Sequence, residues 1–184
     1  MKTQERLAFI TEIAARNSNI GKTGMMKFLY LLQAVYQVPL AYDFEIYTYG
    51  PYCQTVMSDI EYAEFVDYIN ISAVTYPNGM SGYQISAGGN SNQGRNTDVI
   101  TQYSGAIDQV IDFFRDKTAK ELELYSTTVF VTLSFIDNRW DGAKNEICQA
   151  VKKIKPHFSE KTISDAFDDL AAHHFLDQED IGQT

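Results

Sequence analysis

Residues 121–136 read ELELYSTTVFVTLSFI, and wound as a helix this segment is apolar on almost every side. A helix with no clear polar face belongs in the middle of a protein, with the remaining elements wrapped around it. The β-branched run from Thr127 to Thr132 also suits a strand, but the length of the segment and the spacing Glu121, Leu124, Thr128, Val131 favour the helix. The helical stretch is expected to begin near Asp98 and to continue unbroken through this segment.

Shorter elements surround it. Leu7, Ile10, Ile13 and Ala14 recur at helical spacing and stop at RNSNIG. KTGMMKFLYLLQAVYQ forms a second helix, with Thr23 placed to cap its start and Pro39 beyond its end. YDFEIYTY alternates as a short strand. Gly50-Pro51 then reads as a hinge, with Pro51 in the first turn of a helix over YCQTVMSDIEYAEFVDYI. INISAVTYPNGMSGYQIS is a β-hairpin turning at Pro77-Asn78-Gly79, and AGGNSNQGRNT has the composition of a mobile connector. DGAKNEICQAVKKIK is an amphipathic helix, and a last helix starts behind Ser159.

The expected class is therefore mainly α, in the α+β sense: a helical domain with winged-helix-like elements and a small β-hairpin. Residues 1–95 form a helix-turn-helix-like lobe with the hairpin, and residues 96–184 form a helical lobe packed on it as one compact unit. A chain of 184 residues is long enough for that arrangement and too short for two large domains.

The formal charge of -9 opposes non-specific binding to a phosphate backbone. The charges are also segregated. Five basic residues stand against two acids from Met1 to Lys27, no Lys or Arg occurs from Phe28 to Gly94, and Asp43 to Asp67 carries six acids. Arg139 to Lys161 is net positive again, and Thr162 to Thr184 has six acids and no basic group. Signed faces of this kind suit recognition of a partner. No run approaches the about 18 apolar residues of a bilayer span, and Cys53 and Cys148 are widely separated, so a cytoplasmic protein with free thiols and no membrane association is expected.

Motifs for chemistry are thin. IGKTG resembles a phosphate loop, but the required upstream glycine position is Arg16 and no strand precedes it. His173 and His174 are adjacent and point apart on a helix, so they do not form a metal pair. Cys53 follows a helix start but has no identifiable base. No catalytic residue, cofactor or metal is assigned. Lys22 and Lys27 are expected to face solvent at the start of the second helix, while Lys152, Lys153 and Lys155 are candidate phosphate contacts, with Arg95 as a helper.

The ordered segments KTGMMKFLYLL, YDFEIYTYGPY, GYQIS, ELELYSTTVF and KPHFSEKTISDAFDDL resemble the YwgA-like family of small bacterial proteins, from about Lys22 to Leu176. The first half more distantly resembles the SocA-like, or Panacea, antitoxin domain, which shares a Lys-led helix followed by an aromatic YGP. The first resemblance implies a helical protein with winged-helix-like parts. The second implies a protein that binds a toxin, in some members as an adaptor for proteolysis. It carries over Lys22, Tyr49, Gly50, Pro51 and Tyr52, while the second half of this chain continues beyond that pattern.

Tyr42, Tyr47, Tyr49, Tyr52, Tyr62 and Tyr68 add ring area without a matching acid, base or ligand set, which suits a contact surface. The leading expectation is a noncatalytic protein-binding or regulatory module, defence-associated or toxin-neutralising, with Lys22, Lys27, Tyr49, Gly50, Pro51 and Tyr52 in the partner-binding region. A winged-helix DNA-binding regulator is the second reading. An enzyme whose site the sequence does not reveal is the third. An apolar helix fits a core or a homo-oligomer interface equally.

Overall fold

The computed structural model describes residues 1–18, 20–75, 79 and 81–177. Its elements are α1 (Thr3–Arg16), α2 (Lys22–Ala34), β1 (Glu45–Tyr47), β2 (Gly50–Tyr52), α3 (Gln54–Phe65), β3 (Ile69–Thr75), β4 (Ser81–Ala87), α4 (Ser91–Arg95), α5 (Asp98–Gln102), α6 (Ser104–Phe114), α7 (Ala119–Asp137), α8 (Lys144–Ile154) and α9 (Glu160–Ala172). The fold is mainly helical, with two antiparallel two-stranded sheets, β1–β2 and β3–β4.

The segment that is apolar on all sides is α7, and two separate clusters explain why. On one side Leu122 and Val129 join a core with Leu7, Phe28, Ile60, Ile85 and Phe114. On the other, Leu124 and Val131 pack with Ile147, Val151, Phe158 and Ile163 of the last two helices and the turn between them. A helix between two cores has little use for a polar face. Its hydroxyls are satisfied internally: Thr127 donates to Glu123 O at 2.7 Å, Thr128 to Leu124 O at 2.9 Å and Thr132 to Thr128 O at 2.9 Å. This back-bonding lets a threonine-rich run stay helical.

Several sequence expectations are corrected. The stretch from Asp98 to Ile136 is three helices rather than one. The break before α7 is made by Thr118, whose Oγ1 accepts from Glu121 N at 3.2 Å while Glu121 Oε2 accepts from Thr118 N at 2.7 Å, a reciprocal capping box. Thr23 does not cap α2, because Gly21 occupies the N-cap position and Thr23 lies within the helix. The Gly-rich segment after β4 is not a loose connector: it contains α4, which packs on α1. A Cβ at Gly94 would stand 2.7 Å from the Tyr68 ring, so the small residue permits that contact.

Gly50-Pro51 is not a hinge into α3. Gly50, Pro51 and Tyr52 pair back on Tyr47, Ile46 and Glu45, leaving Thr48 and Tyr49 as a two-residue turn, and α3 starts only after Cys53. The β3–β4 hairpin pairs Ile69 with Ala87 through Thr75 with Ser81; its expected turn lies, apart from Gly79, outside the described residues. Ser159 does cap α9, accepting from Thr162 N at 3.0 Å. Among the described residues no helix is long and apolar enough to cross a membrane.

Candidate functional site

The β1–β2 hairpin is too short to pair all of its own carbonyls, and an unpaired buried carbonyl is costly. Two lysines supply the donors. Lys27, in the middle of α2, is 2% exposed and its Nζ donates to Pro51 O at 2.5 Å. Lys155, just past α8, is also 2% exposed; its Nζ donates to Tyr47 O at 3.3 Å and to Thr48 O. The hairpin backbone is thus held from opposite halves of the chain.

One acid balances the two cations. Glu123 of α7 is 7% exposed, with Oε1 3.0 Å from Lys155 Nζ and 3.4 Å from His157 Nε2, although neither contact gives that oxygen a well-directed hydrogen bond. Desolvation, reinforced by the positive charge of Lys155 and opposed by Glu123, lowers the Lys27 pKa to about 8. Gly50 lies directly on α7 with φ +90°, and a Cβ there would stand 3.1 Å from both Ser126 Oγ and Thr127 Oγ1.

The result is a hairpin whose backbone is fixed and whose Tyr47 and Tyr49 rings are bare. Tyr47 is 67% exposed and Tyr49 65% exposed. Tyr47 leans on Tyr52 with ring centroids 5.8 Å apart, and Tyr52, half-buried, hydrogen-bonds Gln54 Oε1 at the start of α3. Lys22, Lys27, Tyr49, Gly50 and Tyr52 line one recess of about 280 Å3, and Pro51 contributes the carbonyl that Lys27 holds. The structure therefore brings together the residues singled out around YGPY.

Their roles differ from the expectation in one respect. Lys27 does not face solvent; with Gly50 and Pro51 it is buried support for the tyrosines. The other lysine group does not form a patch either. Lys155 is buried, Lys152 Nζ is occupied by Pro156 O at 2.9 Å and Phe158 O at 2.6 Å, and Lys153 alone of the three is exposed. Arg95 faces Glu12 at 3.7 Å. Tyr42 is buried as well, donating from its hydroxyl to Asp59 Oδ2 at 2.8 Å beside Arg6. Tyr62 is exposed and Tyr68 half-buried.

Glu123 and His157 were missed by sequence reasoning. Glu123 sits in ELELY between Leu122 and Leu124, both buried, and an acid on the buried side of such a run signals an internal cationic partner.

Among the described residues no group of three or more His, Cys, Asp or Glu side chains could hold a metal ion. Cys53 is buried at the N-cap of α3, with its backbone N–H directed at Met26 Sδ. Burial pushes the Cys148 thiol above its ordinary pKa, which lowers its thiolate fraction. No protein-family model matches the sequence, and no curated protein matches it either.

Proposed function

We propose that this protein is a noncatalytic protein-binding module that presents Tyr47 and Tyr49 on a pre-organised hairpin. The observation that carries the reading is the contrast between the exposed Tyr47 and Tyr49 rings and the hairpin backbone beneath them, which Lys27 holds at Pro51 and Lys155 holds at Tyr47 and Thr48. Tyrosine offers large contact area with few rotatable bonds, and a tip ordered in advance loses less entropy on binding. A toxin-neutralising or other defence-associated role in the cytoplasm is the specific form of this reading; it draws on the family resemblance and on two free cysteines.

A winged-helix-like description also belongs to this proposal. Its support is the order α1, an antiparallel bridge from Ile20 to Ile85, α2, α3 and the β3–β4 hairpin. Duplex DNA is the weaker ligand, because α3 would take the groove-reading position and it carries Asp59, Glu61 and Glu64 with no Lys or Arg. The test is capture of a partner from the native host by the full-length chain. Tyr47→Ser with Tyr49→Ser should abolish capture without lowering the melting temperature; unchanged capture by the double variant would refute the role of the hairpin.

A further inference from the structure

A second feature lies beside the hairpin and shares the Tyr49 ring with it. The start of α2, the start of β4 and the corner between α6 and α7 enclose a cavity of about 630 Å3. Small-molecule sites typically span roughly 300–1,000 Å3. Two backbone devices fix its walls. Ile85 N donates to Ile20 O at 2.8 Å, which ties β4 to the residue before Gly21, and the Thr118–Glu121 capping box sets the α6–α7 corner.

The lining has an unusual charge for this molecule. Lys22, Arg115, Lys117 and Lys120 all line the cavity, in a chain whose net charge is -9. The one carboxylate among the described lining residues is Glu123, which is already paired with Lys155. Lys117 is partly engaged, 3.4 Å from Asp169 Oδ2 and stacked over the Phe113 and Tyr125 rings, and Arg115 is 3.9 Å from Asp112. Lys22 contacts only the Tyr83 ring, at 4.8 Å, while Lys120 Nζ leans over Phe158, 5.3 Å from the ring centroid and outside the cavity lining; neither has an ion pair among the described residues. A concave surface lined by one sign of charge focuses its field and concentrates ions of the other sign.

The rest of the lining mixes small and polar residues with apolar and aromatic ones, among them Ile20, Leu122 and the exposed rings of Tyr49 and Tyr83. We propose that this cavity binds a small organic anion, its carboxylate, sulfonate or phosphate head meeting Lys22 and Arg115 and its apolar body lying against the two tyrosines. Cationic groups hold the head by charge-assisted hydrogen bonds, and the rings take the body.

The test uses the full chain and the fluorescent probe anilinonaphthalene sulfonate, which has both parts. The expected result is saturable binding at one site, weakened by salt and reduced about tenfold or more, equivalent to about 1.4 kcal/mol, by Lys22→Glu with Arg115→Glu. Arg139→Glu with Lys153→Glu makes the same change in net charge at exposed positions outside the cavity and should leave binding unaltered. If the first pair does not fold, Lys22→Gln with Arg115→Gln should produce the same direction of change. Absence of saturable binding, or equal loss in the control pair, would overturn the proposal. Partner capture by the hairpin is read separately, so either idea can fail alone.

Discussion

Lys155 Nζ stands 3.0 Å from Glu123 Oε1, with 2% and 7% of the two residues exposed. Buried pairs are weak evidence of net stabilisation, but removing one member leaves the other charged, dry and uncompensated. Lys155→Met should therefore destabilise the fold by about 3–5 kcal/mol, and adding Glu123→Leu should recover the part due to the unpaired carboxylate but not the part due to the orphaned Tyr47 and Thr48 carbonyls. Urea denaturation of the two single variants and the double variant measures the coupling. Strictly additive losses would contradict it.

Gly50 should be nearly irreplaceable. Alanine would adopt a left-handed φ and place Cβ 3.1 Å from two hydroxyl oxygens of α7. Gly50→Ala is expected to cost about 1–3 kcal/mol, visible as a lowered denaturation midpoint with little change in slope.

Lys27 provides a pH signature. Its pKa is about 8 in the folded protein against 10.5 for the free side chain. Between those values the unfolded chain binds more protons than the folded one, so the Lys27 contribution to stability rises as pH increases from about 8 to about 10.5. As pH falls from about 10.5 to about 8 that contribution is lost, and below the folded pKa the buried amine carries its charge. Subtracting the stability profile of Lys27→Met from that of the native sequence should reveal the rise; parallel profiles would contradict it.

Duplex DNA should not be retained in salt-dependent fashion, since α3 is acidic and Lys153 alone of the Lys152, Lys153, Lys155 group is exposed. Mobility shift at low salt checks this. Retention that disappears in Lys152→Glu with Lys153→Glu would restore the DNA reading.

What could be read in advance follows from how local each determinant is. The central helix was legible because a long segment apolar on all sides has few alternatives, and the α9 start because Ser159 caps it locally. The break at Thr118 was also written in the sequence, as a Thr followed three residues later by Glu, but the apolar run beyond it masked the signal. β2 was obscured because Gly-Pro is compatible with a helix entry; only its pairing to β1 and the contact of Gly50 with α7 decide the matter. The burial of Lys155 was least legible. Its hydrogen-bond partner Tyr47 is 108 positions away, and no periodicity within α8 can report on a carbonyl that distant.

The most direct test of the central claim places a photo-crosslinking phenylalanine analogue at Tyr49 in the full chain, produced in its native host. The same analogue at Phe65, exposed on α3, serves as the control. Display by the hairpin predicts a discrete adduct from position 49 and none of that size from position 65. No adduct at 49, or the same adduct from both positions, would contradict it.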